Sequence, residues 1–183
     1  MKMKQFVLAL SGRMASGKST LALRLAELLC CARASFGDYV RTVANSRGIE
    51  PTGENLQSVG AELVELGWEA FCRAVLSQTS WQPGQMLVVD GVRHVDAIHH
   101  LKNLVAPLSV ILIHVKIDEE LRIGRIRERE AAAAAPDTRS ETHSTERDVK
   151  AALPALGDLV VDGSRTVDDL ATEIIEFACR HVS

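Results

Sequence analysis

Gly12-Arg13-Met14-Ala15-Ser16-Gly17-Lys18-Ser19 fits the pattern G-x-x-x-x-G-K-[ST] without a mismatch. Glycine spacing of this kind lets successive backbone N–H groups curl around an anion, and a helix opening at the second glycine adds its positive dipole end. Lys18 then reaches the β- and γ-phosphates of a nucleoside triphosphate, and the Ser19 hydroxyl ligates Mg²⁺. A glycine turn that caps an ordinary helix is the bland alternative, and the flanks decide against it. An apolar run, Phe6–Leu10, leads in, and Leu21, Leu25, Leu28 and Leu29 recur at helical spacing behind. A strand, a glycine loop and a helix in that order are what a triphosphate cradle needs, so Gly12 to Thr20 are expected to hold ATP with Mg²⁺.

Three further sets of charged residues fall where chemistry is possible. Asp90 ends the apolar run Leu87-Val88-Val89, a position from which a carboxylate reaches Mg²⁺ directly or through water; capping the next helix is its other reading. Asp38 and Arg41 follow a weak strand candidate, one helical turn apart, and Arg93 follows Asp90 by three residues. Arg122, Arg125 and Arg129 lie within about 60° of one another at helical spacing, forming one cationic stripe. Glu119 and Glu128 can turn that stripe into a solvated, salt-laced face. A polyanion neutralises it better, because like charges at this spacing repel.

Those residues need a scaffold that brings strand ends together. Short apolar or β-prone runs at Phe6–Leu10, Ala32–Phe36, Met86–Val89, Val110–Val115 and Leu159–Val161 alternate with helical patterns. Helices are predicted over Gly17–Cys31, Asp38–Arg47, Glu54–Leu76 (with Gly67 able to break or bend it), His94–Leu104, Asp118–Glu130, Ser144–Leu153 and Thr166–His181. Continuous apolar runs suit strands covered on both faces. The expected fold is therefore α/β, a five-stranded parallel sheet sandwiched between helices, with ligands at the carboxyl ends of the strands. One domain accounts for the chain, with residues 38–82 forming the acceptor side. Residues 130–143, alanine-rich and then broken at Pro136, read as a lid or as a plain surface insertion.

Composition narrows the partners. A formal charge of −3 over 183 residues gives no general drive toward nucleic acid or anionic membrane. No apolar run approaches the ~20 residues of a membrane span, and Gln5–Leu10 is too short for a secretory leader, so none is expected. The four cysteines, Cys30, Cys31, Cys72 and Cys179, have no metal or redox spacing and fit buried thiols in a reducing cytosol. His99 and His100 are adjacent, point in different directions on a helix, and receive no role.

Taken together the motifs resemble the nucleoside monophosphate kinase superfamily. Phe36-Gly37-Asp38-Tyr39-Val40-Arg41 is similar to the adenylate kinase segment after strand two, with Phe36 where that family has a small hydroxyl residue. Asp90-Gly91-Val92-Arg93 is similar to its Asp-Gly-Phe-Pro-Arg segment, one residue shorter and without proline. Arg47-Gly48-Ile49-Glu50-Pro51-Thr52-Gly53-Glu54-Asn55-Leu56 resembles a segment of uncharacterised nucleotide kinases related to adenylate and cytidylate kinases. The stretch from Gly157 to Leu170 resembles the end of dephospho-coenzyme A kinases. The resemblance implies an ATP- and Mg²⁺-dependent phosphotransferase with a small nucleotide as acceptor. Arg41 and Arg93 would hold the acceptor phosphate, and Asp38 would orient the acceptor or serve as base toward a hydroxyl. Lys18, Arg122, Arg125 and Arg129 would act on the transferring phosphoryl group, Ser19 and Asp90 on the metal, and Gly163 on the donor adenine. Phosphorylation of a hydroxyl on a nucleotide-like metabolite is the second expectation. A nucleotide-dependent regulatory NTPase is the third.

Overall fold

Apolar runs without polar alternation are covered on both sides in the computed structural model, which describes residues 4–132 and 148–182. β1 (Phe6–Gly12) is buried along its whole length. Around it lie β2 (Ala32–Ser35), β3 (Leu87–Val92), β4 (Ser109–Lys116) and β5 (Leu159–Asp162), in the order β2-β3-β1-β4-β5. Every neighbouring pair is parallel, as expected from the sequence. Parallel pairing requires crossovers, which the helices supply. These are α1 (Lys18–Leu28), α2 (Phe36–Ser46), α3 (Gly53–Glu65), α4 (Trp68–Ser77), α5 (Val95–Val105) and α6 (Glu119–Ala132). A π-helical turn at Asp148–Ala152 leads into α7 (Leu153–Leu156), and α8 (Val167–His181) ends the fold.

Alternate residues of each strand supply two separate cores. Val7, Ala9, Leu87, Val89 and Leu112 pack under α2 to α5. Phe6, Leu8, Leu10, Ile111 and Ile113 pack against α1 and α8. The strand order places the glycine loop at the centre of the sheet, with the end of β3 on one side and the ends of β4 and β5 on the other.

Several boundaries differ from the sequence expectation. The long helix predicted over Glu54–Leu76 splits at Gly67, which has φ 115° and separates α3 from α4. β3 runs through Asp90 to Val92, and Gly91, at φ 79°, marks the register shift against β1. Asp90 is therefore a strand residue, and α5 starts only after His94, which removes the capping account of Asp90. α2 starts at Phe36 rather than Asp38, because Ser35 is its cap and accepts from the Asp38 N–H at 3.2 Å. Residues 133–143 of the expected lid, and the start of the helix expected over Ser144–Leu153, lie outside the described residues. Cys72 is buried as expected, and burial pushes its thiol up to about 12. Cys30 is exposed instead, on the turn after α1. Among the described residues, no helix is long and apolar enough to cross a membrane.

Candidate active site

At the end of β1 the chain must turn within a space that admits no side chain. A Cβ on Gly12 would lie 2.7 Å from the Val115 carbonyl oxygen and 2.9 Å from Ser16 Oγ. Ala15 (φ 63°) and Gly17 (φ 89°) take left-handed conformations, and the Ser16 N–H closes the turn on the Arg13 carbonyl at 3.2 Å. Helix α1 begins directly behind, with no side-chain cap and no acid in its first turn. Its leading N–H groups thus have no side-chain cap to accept from them, as at helix N-termini that bind anions. Lys18 is buried, and its Nζ donates to the Arg13 carbonyl at 3.1 Å. Ser16 Oγ is buried without a hydrogen-bond partner among the described residues. Met14, Ser19 and Thr20 line the cavity beside it.

The loop after β5 leans on this cradle. A Cβ on Gly163 would lie 2.5 Å from the Ser16 carbonyl oxygen and 3.1 Å from that of Lys116. Backbone oxygens cannot rotate away, so Gly163→Ala is expected to cost roughly 1–3 kcal/mol of stability, as overpacking does. It should weaken nucleotide binding at the same time. Thermal melts and titration with a fluorescent ATP analogue check both, and a variant with native values in each would show that this loop yields freely.

On α6 the expected cationic stripe is divided. Arg125 donates from Nη2 to the Gly163 carbonyl at 3.0 Å and from Nη1 to the Ala15 carbonyl at 3.4 Å, clasping the β5 loop to the glycine loop. Arg122 is buried and donates through Nε and Nη2 to Glu119 at 3.2 and 2.7 Å. Arg13 meets the same carboxylate. These bonds, Arg122's first, hold the Glu119 carboxyl down near 2. Neither Arg122 nor Arg125 lines the cavity described next; both flank the glycine loop on its other side. The Arg129 side chain lies outside the described ones.

The other side of the loop opens into a cavity of about 650 Å³. Lys18 and Ser19 form its floor, and Asp38, Arg41, Asp90 and Arg93 line it from the ends of β2 and β3. Asp38, Arg41, Asp90 and Arg93, to which the family resemblance gives acceptor and metal roles, therefore share one space with the glycine loop. Helices α3 and α4 close the outer wall. Phe71 anchors it, 5.2 Å from Phe36 edge-on and 6.0 Å from Trp68 stacked, and Trp68 leans on His94 at 4.9 Å. One contributor escaped the sequence reading. Arg33, on β2, donates to Asp38 Oδ2 at 2.6 Å and to Asp90 Oδ2 at 3.3 Å. An arginine within a weak strand candidate of small residues was the available signal.

A second unforeseen pair lies under the loop. Ser11 Oγ and His114 Nδ1 are 2.8 Å apart, both buried, at register positions of β1 and β4 that face each other. Burial, and secondly the Lys18 charge, push His114 below its ordinary 6.5. A depressed histidine binds its proton more readily in the unfolded chain, so its contribution is present above pH 6.5 and is lost as pH falls toward the depressed value. The melting temperature is expected to drop across that acidic window, and to drop less in His114→Gln. Equal pH profiles for the two proteins would show that His114 does not carry the effect.

This fold and site define a P-loop kinase-like nucleotide-binding domain. A sequence profile for the AAA domain family matches residues 8–147, and the chain belongs to that family. An uncharacterised-family relative, "UPF0200 protein" of Aeropyrum pernix, is 33% identical over 126 residues, 68% of this chain and 65% of that protein. The chain thus spans just under two thirds of that relative. The corresponding protein of Pyrobaculum aerophilum is 29% identical over 92% of this chain and 94% of its own length. Among solved structures, a candidate kinase from Chloroflexus aurantiacus has a TM-score of 0.64 at 21% identity, covering 95% of this chain and 98% of its own. Shikimate kinase from Aquifex aeolicus has 0.61 at 17% identity, with 94 and 96% covered. At such identities these two establish the shared fold.

Proposed function

We propose that this chain is an ATP- and Mg²⁺-dependent phosphotransferase that moves the γ-phosphoryl group to the phosphate of a nucleoside or deoxynucleoside monophosphate. One observation carries the reading. One cavity of about 650 Å³ is lined by Lys18 and Ser19 together with Asp38, Arg41 and Arg93, and a donor cradle sharing one space with acceptor-side arginines is what such a transfer needs. Its volume lies in the range of small-molecule sites, and its aromatic side suits a flat ring.

Mg²⁺ fits the donor set. Asp90 is buried within β3 with Oδ1 unpartnered among the described residues, and Ser19 would supply a hydroxyl. No group of three or more metal-binding side chains occurs among the described residues. That suits an ion held by one or two protein oxygens, substrate phosphates and water. Ser19 and Asp90 would hold it, and it would supply positive charge to offset the charge of the phosphates. The chain's own residues do the rest. Lys18 and the loop N–H groups hold the β- and γ-phosphates, while Arg41 and Arg93 hold the acceptor phosphate in line. An acceptor oxygen forms the new bond to the γ-phosphorus, and the bond to the bridging oxygen breaks with its electron pair leaving on ADP. Transfer therefore rests on positioning and charge.

Phosphorylation of a hydroxyl fits less well. It needs Asp38 as a base, and both Asp38 oxygens are engaged, Oδ2 by Arg33 at 2.6 Å and Oδ1 by Arg41 at 3.1 Å. ADP release with Mg²⁺-ATP against nucleoside and deoxynucleoside monophosphates, dephospho-coenzyme A and shikimate tests the assignment. Strong stimulation by one monophosphate is the expected result. Stimulation by a hydroxyl acceptor alone would replace the reading, and slow, acceptor-independent hydrolysis with a co-purifying protein would favour a regulatory NTPase.

A further inference from the structure

A charged side chain in a strand that borders a core needs a reason. β2 reads Ala32-Arg33-Ala34-Ser35, with Arg33 its one charge. Its register sets Arg33 beside Val88 and Ser35 beside Asp90, so the Arg33 side chain reaches along the sheet toward the strand ends. There its fork is divided. Nη1 donates to Asp90 Oδ2 at 3.3 Å and Nη2 to Asp38 Oδ2 at 2.6 Å. Arg41 then takes the remaining Asp38 oxygen at 3.1 Å. An alternating row, Asp90, Arg33, Asp38, Arg41, thus runs from the donor floor to the acceptor wall of one cavity.

The ends of this row are unlike. Asp38 is half exposed, whereas the Asp90 side chain is only 4% exposed, and a buried carboxylate is costly unless paired. Arg33 supplies that pairing through Oδ2 alone, which leaves Oδ1 as the free acceptor. We propose that Arg33 is a positioning residue. It holds Oδ2 of Asp90, which fixes the carboxylate with Oδ1 left free as the acceptor for a metal, and its other edge is anchored on Asp38. The proposal rests on the metal-side role given to Asp90 above. Only a guanidinium does this, because a planar fork offers separate N–H groups to two carboxylates while an ammonium is a single point charge. Groups that orient a metal-binding side chain from behind typically govern metal affinity by about 10–100-fold.

The test uses the full chain and a fluorescent ATP analogue titrated with and without Mg²⁺. Arg33→Gln is expected to bind the analogue without Mg²⁺ about as the native protein does. The Mg²⁺ concentration that gives half-maximal enhancement should rise about 10-fold or more. Arg33→Lys keeps a charge beside Asp90 and so keeps the fold if the glutamine variant loses it; its Mg²⁺ requirement should rise in the same direction. An unchanged Mg²⁺ dependence in a folded variant would overturn the proposal. So would a loss of analogue affinity that is equal with and without Mg²⁺, which marks a merely structural charge. Native protein that binds the analogue with no Mg²⁺ dependence at all would overturn the metal-side reading of Asp90 together with the proposal. A native response with an indifferent Arg33 variant overturns the proposal alone.

Discussion

Lys18→Ala is expected to reduce phosphoryl transfer by two to three orders of magnitude, about 3–4 kcal/mol of transition-state stabilisation, while the protein still melts cooperatively. The cause is local. Lys18 lies at the opening of α1 with its ammonium already turned toward the mouth of the glycine loop, on the Arg13 carbonyl. Charge developing on the γ-phosphoryl oxygens would meet a buried ammonium, and away from bulk water one preorganised donor counts for far more than it does in solution. Helix α1 does not depend on it, since Leu21 and Leu25 hold that helix to the sheet. The same substitution has an independent signature. The Lys18 charge is one of the two causes that depress His114, so its removal should bring the histidine back toward 6.5 and narrow the acidic window in which stability is lost. Turnover assays with the best acceptor, with melts across pH, read both effects. Native turnover in Lys18→Ala would show that the glycine loop is structural only.

What the sequence disclosed, and what it hid, follows from the range of the interactions. The glycine loop was legible because its chemistry is local: Gly12, Gly17, Lys18 and Ser19 are set by a single turn between β1 and α1. The parallel sheet was legible from apolar runs, since burial on both faces leaves no polar alternation. Asp38, Arg41, Asp90 and Arg93 could be placed at strand ends and share a cavity, because strand ends converge in any open parallel sheet. The divided fates of Arg122 and Arg125 were not legible. Helical spacing reports a common face, but which carboxylate or carbonyl each guanidinium meets depends on Glu119 and on the loop after β5. Arg33 and the Ser11–His114 pair were hidden for the same reason. The Arg33–Asp90 and Ser11–His114 contacts join strands distant in sequence, with partners 57 and 103 residues away, and only register brings them together.

The acceptor side yields the other large effect. Arg41→Ala is expected to raise the acceptor KM about 10–100-fold, the loss of one or two charge-assisted hydrogen bonds to a phosphate, with the KM for ATP nearly unchanged. The asymmetry follows from how Asp38 is held. Arg41 engages Asp38 Oδ1, yet Oδ2 stays on Arg33 at 2.6 Å, so the carboxylate keeps its place when Arg41 is removed. The damage should therefore fall on acceptor binding and not on the geometry of the donor floor. Arg41 is also on the rim, its side chain 45% exposed, where truncation leaves water and no buried orphan charge, and the fold should tolerate it. Arg41→Lys should recover only part of the loss, because an ammonium keeps the charge but not the planar fork that matches a phosphate. Steady-state kinetics with both substrates varied separate these contributions. Equal losses toward ATP and acceptor would move Arg41 from the acceptor site to the transferring group. A native acceptor KM would mean that the incoming phosphate is held elsewhere in the cavity, with Arg93 the next residue to replace.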